Sequence, residues 1–252
     1  MDGLSAMQED PHDMNTITPD PAQVQKLVAA NRILYDQGVV DGMGHVSVRH
    51  GASGQAFLMS CSKAPALVVA ADIVCYGLDG IALAATDKRA YLERFIHAEI
   101  YRARPDVMAV VHSHSPGVIP FGITGQRLRP VYHMAGFLGS GSALFDIREG
   151  AGDTDMLISN PALGRALAAS LADHSCVLMR GHGSTTVGTS IEQVVFRAIY
   201  AENNAKLQAQ AMGLGDVVYL NEEEARLAAA SNDSQIGRSW DLWLRRVGTI
   251  EG

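Results

Sequence analysis

Residues 91–116 restrict the fold more than any other part of this 252-residue chain. They read YLERFIHAEIYRARPDVMAVVHSHSP, which predicts a helix, a turn at Arg104-Pro105-Asp106, and an apolar strand ending in His112-Ser113-His114. Alternate residues of a strand share a face, so His112 and His114 project together, roughly 6–7 Å apart along the chain. Glu93 and His97 stand four apart, on one face of the preceding helix. A third histidine lies far downstream in Met179-Arg180-Gly181-His182-Gly183, again just after an apolar strand-like run. Three histidines and a carboxylate at strand ends make the donor set of an open, catalytic transition-metal site. A His-x-His pair on a strand is more often structural than ligating. His182, in its glycine-flanked break, brings the two readings level, and spacing alone goes no further.

Composition narrows the partners. The net charge of −7 and the lack of a Lys/Arg cluster with interleaved aromatics argue against nucleic acid. No apolar run approaches the roughly 18 residues of a membrane span, and the polar, acidic start is unlike a secretory signal. Cys61, Cys75 and Cys176 are odd in number and set among apolar residues, which reads as reduced core thiols in a cytoplasmic protein.

The rest of the chain supplies a scaffold. Residues 1–19 are polar and aperiodic, a flexible arm, and residues 20–252 show neither linker nor repeat, so they form one domain. Asp20-Pro21-Ala22-Gln23 opens a helix that Gly38 stops. Gly44 to Arg49 and Ala56 to Met59 read as two strands joined by a hairpin. The segments 72–76 and 81–83 flank a Leu78-Asp79-Gly80 turn, which together predicts an early antiparallel sheet. A helix is expected from Ser115, broken at Gly122 and Gly125, and a glycine-rich acidic surface loop at 146–155. Helices follow from Asn160 to Leu171, from Ser190 onward with Glu202 interrupting its apolar face, and near 222–230 and 235–247. His12, His50 and His174 read as surface residues.

Neutral imidazoles suit Mn, Fe, Co or Zn, and three of them leave coordination positions open for substrate. An ion held so acts as a Lewis acid on a substrate hydroxyl or carbonyl oxygen, the electron sink that breaking an adjacent carbon–carbon bond needs. Glu93 then serves as fourth ligand or as proton carrier.

The combination Glu93-x-x-x-His97, Tyr101-Arg102-Ala103-Arg104-Pro105-Asp106-Val107, His112-Ser113-His114-Ser115-Pro116 and Gly181-His182-Gly183 resembles the class II aldolase/adducin family. Gly44-His45-Val46-Ser47-Val48-Arg49 and Asp72-Ile73-Val74 add to it in the right order. The resemblance implies an α/β fold, a three-layer α/β/α structure around a mostly antiparallel central sheet. It also implies a tetramer with sites at subunit interfaces, His112, His114 and His182 as metal ligands with manganese the first choice, and Glu93 as catalytic acid/base.

The departures from the family pattern carry the substrate expectation. Sugar-phosphate aldolases of the family have Gly-Asn where this chain has Gly44-His45. They bind phosphate with a Ser/Thr-Gly pair that aligns with Ser62-Lys63, and with two serines that align with Tyr91 and Leu92. Two large side chains in place of two hydroxyls are expected to fill the phosphate volume. His45, Ser47, Ser62, Lys63 and Tyr91 are therefore the candidate substrate contacts, with Lys63, His45 and Arg49 as cations for a planar anion, although Arg49 is also placed to face solvent. The chain is similar to one branch of the family, the metal-dependent decarboxylases of hydroxylated aromatic dicarboxylates, on Gly44-His45-Val46-Ser47 and on residues 131–139, which include Tyr132 and His133. That similarity implies decarboxylation of a hydroxylated aromatic or pyridine dicarboxylate, such as 3-hydroxy-2-methylpyridine-4,5-dicarboxylate of vitamin B6 breakdown. Glu93, His133 and Tyr132 are then the catalytic groups, and His97 packs behind the metal to orient a ligand. An aldolase acting on a sugar or hydroxy-keto substrate is the alternative, and an adducin-like scaffold, which needs no metal ligands, is a third reading.

Overall fold

The computed structural model describes residues 19–51 and 54–248; nearly all of the expected N-terminal arm, with His12, lies outside them. Helix α1 (Pro21–Asp36) begins as the sequence predicts, with the Asp20 carboxylate accepting the Ala22 amide and Pro21 in the first turn. It stops just before Gly38, whose φ of 69° lies in the left-handed region that glycine takes at low cost.

Seven strands follow: β1 (His45–His50), β2 (Ala56–Ser60), β3 (Ile73–Gly77), β4 (Ala109–Ser113), β5 (Ala143–Phe145), β6 (Cys176–Met179) and β7 (Gly183–Gly188). They form one sheet in the order β3-β2-β1-β4-β7-β6-β5, antiparallel throughout except where β5 runs beside β6. The strand expected at residues 81–83 is reduced to a single bridge between Tyr76 and Ala82. Ile81 and Leu83 are 65% and 48% exposed, so that segment has no face to bury and nothing to hold a longer ladder.

Strand alternation sorts the core into two layers. Val46, Val48, Leu58, Ala109 and Val111 face α1, α6 (Ile191–Leu214) and α8 (Ile236–Val247). Phe57, Met59, Val110, Val177 and Val187 face the other way, toward α2 (Arg94–Ala103) and α5 (Pro161–Leu171). The result is the expected α/β/α sandwich. Fully buried side chains such as Leu27, Ile33, Leu58, Ile96 and Leu167 each contribute about 1.5–3 kcal/mol.

Several local expectations change. Glu202 does not break the buried face of α6 but is itself buried, accepting the Gly117 amide with both carboxylate oxygens at 3.0 and 2.9 Å. Asn204 and Gln208, also buried, hold the backbone of residues 127–131. The polar side of α6 is thus a rack for the loops that follow β4. The helix expected from Ser115 is the short α3 (Ile119–Ile123), which runs through Gly122 rather than breaking there. Inside the acidic loop a short helix, α4 (Arg148–Ala151), is ordered by Asp146 bridging Arg148 and Arg180. A 3₁₀ segment covers residues 133–138, and α7 (Glu222–Asp233) starts with a capping box between Asn221 and Glu224. His50 is buried rather than on the surface, its Nδ1 2.7 Å from Gln23 Oε1. His174 is half-buried, its Nδ1 3.0 Å from the Gly141 carbonyl. The three cysteines are free, but only Cys176 is fully buried. No described helix is long and apolar enough to cross a membrane.

Candidate metal centre

The register of three strands builds the centre. His112 is paired with His45 across to β1 and with Thr185 across to β7, so these side chains stand in a row on the face of the sheet that meets α2. His114 follows two residues later with the same parity. His182 comes from the turn joining β6 to β7, where Gly181 takes a φ of 64° and the His182 amide donates to the Met179 carbonyl. Gly183 lets this turn lie against β4: a Cβ there would sit 2.1 Å from the Ser113 carbonyl oxygen. Glu93 stands at the N-cap position of α2 without a side-chain bond to the helix, and its Oε1 instead accepts the Ile158 amide at 3.0 Å. That leaves Oε2 aimed inward, 3.5 Å from His112 Nε2 and 3.6 Å from His182 Nε2.

Glu93, His112, His114 and His182 thereby bring four ligand atoms within 4.8 Å of one another. His112 Nε2 and His114 Nε2 are 3.1 Å apart. Two nitrogens bound to one ion at about 2.1 Å sit at such a separation. The protonation states agree. Burial, reinforced by the other histidines, holds His112 well below the ordinary imidazole pKa, and burial with His182 lowers His114. Both rings are therefore neutral and able to ligate. Thr185 Oγ1 lies 3.4 Å from His112 Nδ1 and donates its own proton to the Met179 sulfur. It is thus set to accept Nδ1–H, which leaves the Nε2 lone pair facing the cluster. His182 Nδ1 is buried without a hydrogen-bond partner among the described residues. Burial raises the Glu93 pKa above the ordinary carboxylate value, against the opposing pull of His182 and the Ile158 amide. The residues present fit a divalent transition metal.

Behind the centre lies a polar chain. His97, expected to orient a metal ligand, has its Nε2 2.7 Å from His45 Nδ1 and its Nδ1 2.6 Å from Ser47 Oγ; Ser47 Oγ is in turn 2.7 Å from the Tyr101 hydroxyl. Ser47 is fully buried with its hydroxyl engaged at both ends, so it supports His97 rather than meeting a substrate. Burial and the neighbouring histidines hold His45 well below the usual imidazole pKa, so it is neutral, not the cation expected for a substrate anion. Arg49 neither faces solvent nor lines the site, since its guanidinium donates to the carbonyls of Val107, Gly54, Tyr101 and Arg104. Lys63 pairs with Asp72 at 2.7 Å, and Ser62 is exposed. The Tyr91 hydroxyl donates to the Lys63 carbonyl at 2.5 Å and accepts the Lys63 amide at 3.3 Å, while its ring centroid lies 4.7 Å from that of His45. Leu92 is 51% exposed and fills no pocket volume. Tyr132 and His133 are not drawn in: His133 is exposed on the 3₁₀ segment, Tyr132 packs near Tyr200, and among the described residues no hydrogen bond or ring contact joins either to the cluster. Thr185 and Tyr101 were not foreseen, and only the β4–β7 register or the β1–α2 packing would have found them.

The model of the class II aldolase and adducin N-terminal domain matches residues 25–209, most of the chain. The chain belongs to the class II aldolase and adducin family. It is 39% identical to the decarboxylase tropJ of Talaromyces stipitatus over 92% of this chain and 96% of that protein. It is 32% identical to the 3,4-dihydroxyphthalate decarboxylase of Arthrobacter keyseri, over 76% and 79% respectively. The L-fuculose 1-phosphate aldolase of Glaciozyma antarctica superposes with a TM-score of 0.73 at 24% identity, covering 90% of this chain and 88% of that one, which shows the shared fold.

Proposed function

We propose that this protein decarboxylates a hydroxylated aromatic or pyridine carboxylic acid, a dicarboxylate such as 3-hydroxy-2-methylpyridine-4,5-dicarboxylate or a dihydroxyphthalate, as a manganese-dependent homotetramer. The chain is a decarboxylase of the class II aldolase family, as its similarity to named decarboxylases over most of its length supports. One observation favours an aromatic acid over a sugar phosphate. The Tyr91 hydroxyl occupies the Lys63 amide in the loop where family aldolases hold phosphate, so that amide is already taken. An aldolase acting on a non-phosphorylated substrate is the second reading. The scaffold reading accounts for neither the four converging ligand atoms nor the decarboxylase relatives.

A divalent ion held by His112, His114 and His182 supplies Lewis-acid stabilisation of the negative charge that develops on a substrate oxygen. The protein's own groups do the rest. Glu93, raised in pKa by its burial, carries a proton at Oε2 and delivers it to the ring carbon bearing the departing carboxylate. The carbon–carbon bond then breaks, carbon dioxide leaves, and the electron pair of that bond restores the aromatic ring, so that a proton has replaced the carboxylate. Tyr91 walls the site beside His45. Tyr132 and His133, expected as catalytic groups, take no part in this step, since among the described residues nothing joins them to the cluster.

The test is a panel of hydroxypyridine and dihydroxybenzene dicarboxylates assayed for carbon dioxide, with fuculose and ribulose phosphates assayed for aldehyde. Carbon dioxide from one acid is the expected result. Aldehyde without carbon dioxide returns the protein to the aldolases.

A further inference from the structure

We propose that His45 is a hydrogen-bond donor to the substrate through Nε2–H, a proton placement fixed by the buried chain Tyr101–Ser47–His97. This rests on the decarboxylase reading for the identity of the acceptor, but its structural basis is separate from it.

The three links of the chain, at 2.7, 2.6 and 2.7 Å, join groups that are at most 3% exposed. A neutral imidazole carries one N–H, so the two links made by His97 must run in the same sense. Two directions exist. In the first, Tyr101 O–H donates to Ser47 Oγ, Ser47 O–H donates to His97 Nδ1, and His97 Nε2–H donates to His45 Nδ1. Every buried donor is then satisfied, and His45 must carry its proton on Nε2. In the second direction, His45 Nδ1–H donates to His97, His97 to Ser47, and Ser47 to Tyr101. The Tyr101 proton, or the Ser47 proton if Tyr101 donates at the last link, is then left with no acceptor among the described residues, inside a fully buried site. A buried donor without an acceptor is the costlier arrangement, so the first direction prevails.

The ring it orients stands at the centre. The His45 centroid lies 5.0 Å from that of His112 and 4.7 Å from that of Tyr91, and its Nε2 has no protein partner among the described residues. A fixed N–H beside the metal ligands strengthens its bond to an oxygen as negative charge develops there, without having to reorganise. Ser47, His97 and Tyr101 are then positioning residues, and His45 is the catalytic one. Arg49 is committed to backbone carbonyls and Lys63 to Asp72, so the His45 N–H takes the place of those cations on this side of the site.

Two-bond proton–nitrogen correlation spectra of the ¹⁵N-labelled, metal-free protein read the tautomer directly, with the His45→Gln variant assigning the ring. The expected result is Nε2–H at pH 7.5 in wild type and a mixture of tautomers in Ser47→Ala, which removes the group that sets the direction. A His45 ring protonated on Nδ1, or on both nitrogens, overturns the proposal whatever the enzyme's activity. Adding 3,4-dihydroxyphthalate to zinc-loaded protein should shift the His45 Nε2–H resonance, and an unmoved resonance with the acid bound overturns the donor role. In turnover, His45→Leu should lower kcat at least tenfold, with His45→Gln, which keeps an amide N–H at the same reach, recovering most of it. Unchanged kcat and KM in His45→Leu would count against it. If the wild type releases no carbon dioxide from any acid, the decarboxylase reading fails, while the spectra still decide the tautomer.

Discussion

Replacing Gly183 with alanine should damage fold and metal site together. The added Cβ would lie 2.1 Å from the Ser113 carbonyl oxygen, 3.0 Å from its carbon and 3.1 Å from His114 Cα. All three are backbone atoms, so no side chain can swing away, and the turn bearing His182 must retreat from β4 by roughly 1 Å to restore a normal contact. Overpacking of this kind costs about 1–3 kcal/mol, and the rigid neighbours place it near the upper end. In a domain of this size that lowers Tm by roughly 4–10 °C. The same retreat pulls His182 from His112 and His114, so affinity for zinc or manganese should drop about 10–100-fold, as when the support of a ligand is lost. Urea unfolding and calorimetric metal titration measure the two effects. Gly213→Ala is the control: in α6, with nothing within 4 Å of the added atom, it should leave stability unchanged or raise it by up to about 1 kcal/mol. Wild-type stability and metal affinity in Gly183→Ala would refute the claim that this contact holds the two halves of the site together.

Other outcomes follow from the same geometry. Desolvation holds His97 at a pKa of about 3, so the unfolded chain, titrating near 6.5, binds the extra proton between those values. Stability is therefore unaffected by this group above pH 6.5 and falls by about 1.4 kcal/mol per pH unit as pH drops toward 3; urea midpoints at pH 6.5, 5.5 and 4.5 should show a shallower decline in His97→Gln. Glu202→Gln leaves the Gly117 amide facing one acceptor and one donor in place of two acceptors, and should cost about 1–3 kcal/mol by the same assay, with a larger loss than Glu223→Gln on the exposed face of α7. Burial pushes the Cys176 thiol up to about 12, so iodoacetamide at pH 8 should leave it unmodified in the native protein and alkylate it after denaturation, as mass spectrometry of the peptide would report.

The residues of the candidate metal centre were legible because their constraints are local. His112 and His114 announce themselves by strand parity, His182 by the glycines that make its turn, and Glu93 by its spacing of four from His97, although it stands at the N-cap of α2 rather than within the helix. What surrounds them depends on partners 50 to 54 residues apart: the His45–His97–Ser47–Tyr101 chain forms because β1 pairs with β4 beneath α2, and no spacing rule encodes that. Charge misled for a related reason. Lys63 and Arg49 are cations in the sequence, but one is neutralised by Asp72 and the other spent on four carbonyls. Burial likewise reversed the readings of Glu202 and His50, polar residues whose partners lie on other elements. At the sheet edge, residues 81–83 had the right turn signal but no apolar face to bury, and the ladder stopped after one bridge.

The most direct test of the account follows labelled carbon dioxide from a ring-carboxyl-¹³C dihydroxyphthalate, with manganese-loaded wild type and His112→Ala assayed side by side. The account predicts steady release by the wild type, abolished by metal chelation and by the substitution, in a variant whose unfolding curve shows it still folded. Equal release from both proteins, or none from the loaded wild type across the acid panel, would contradict it.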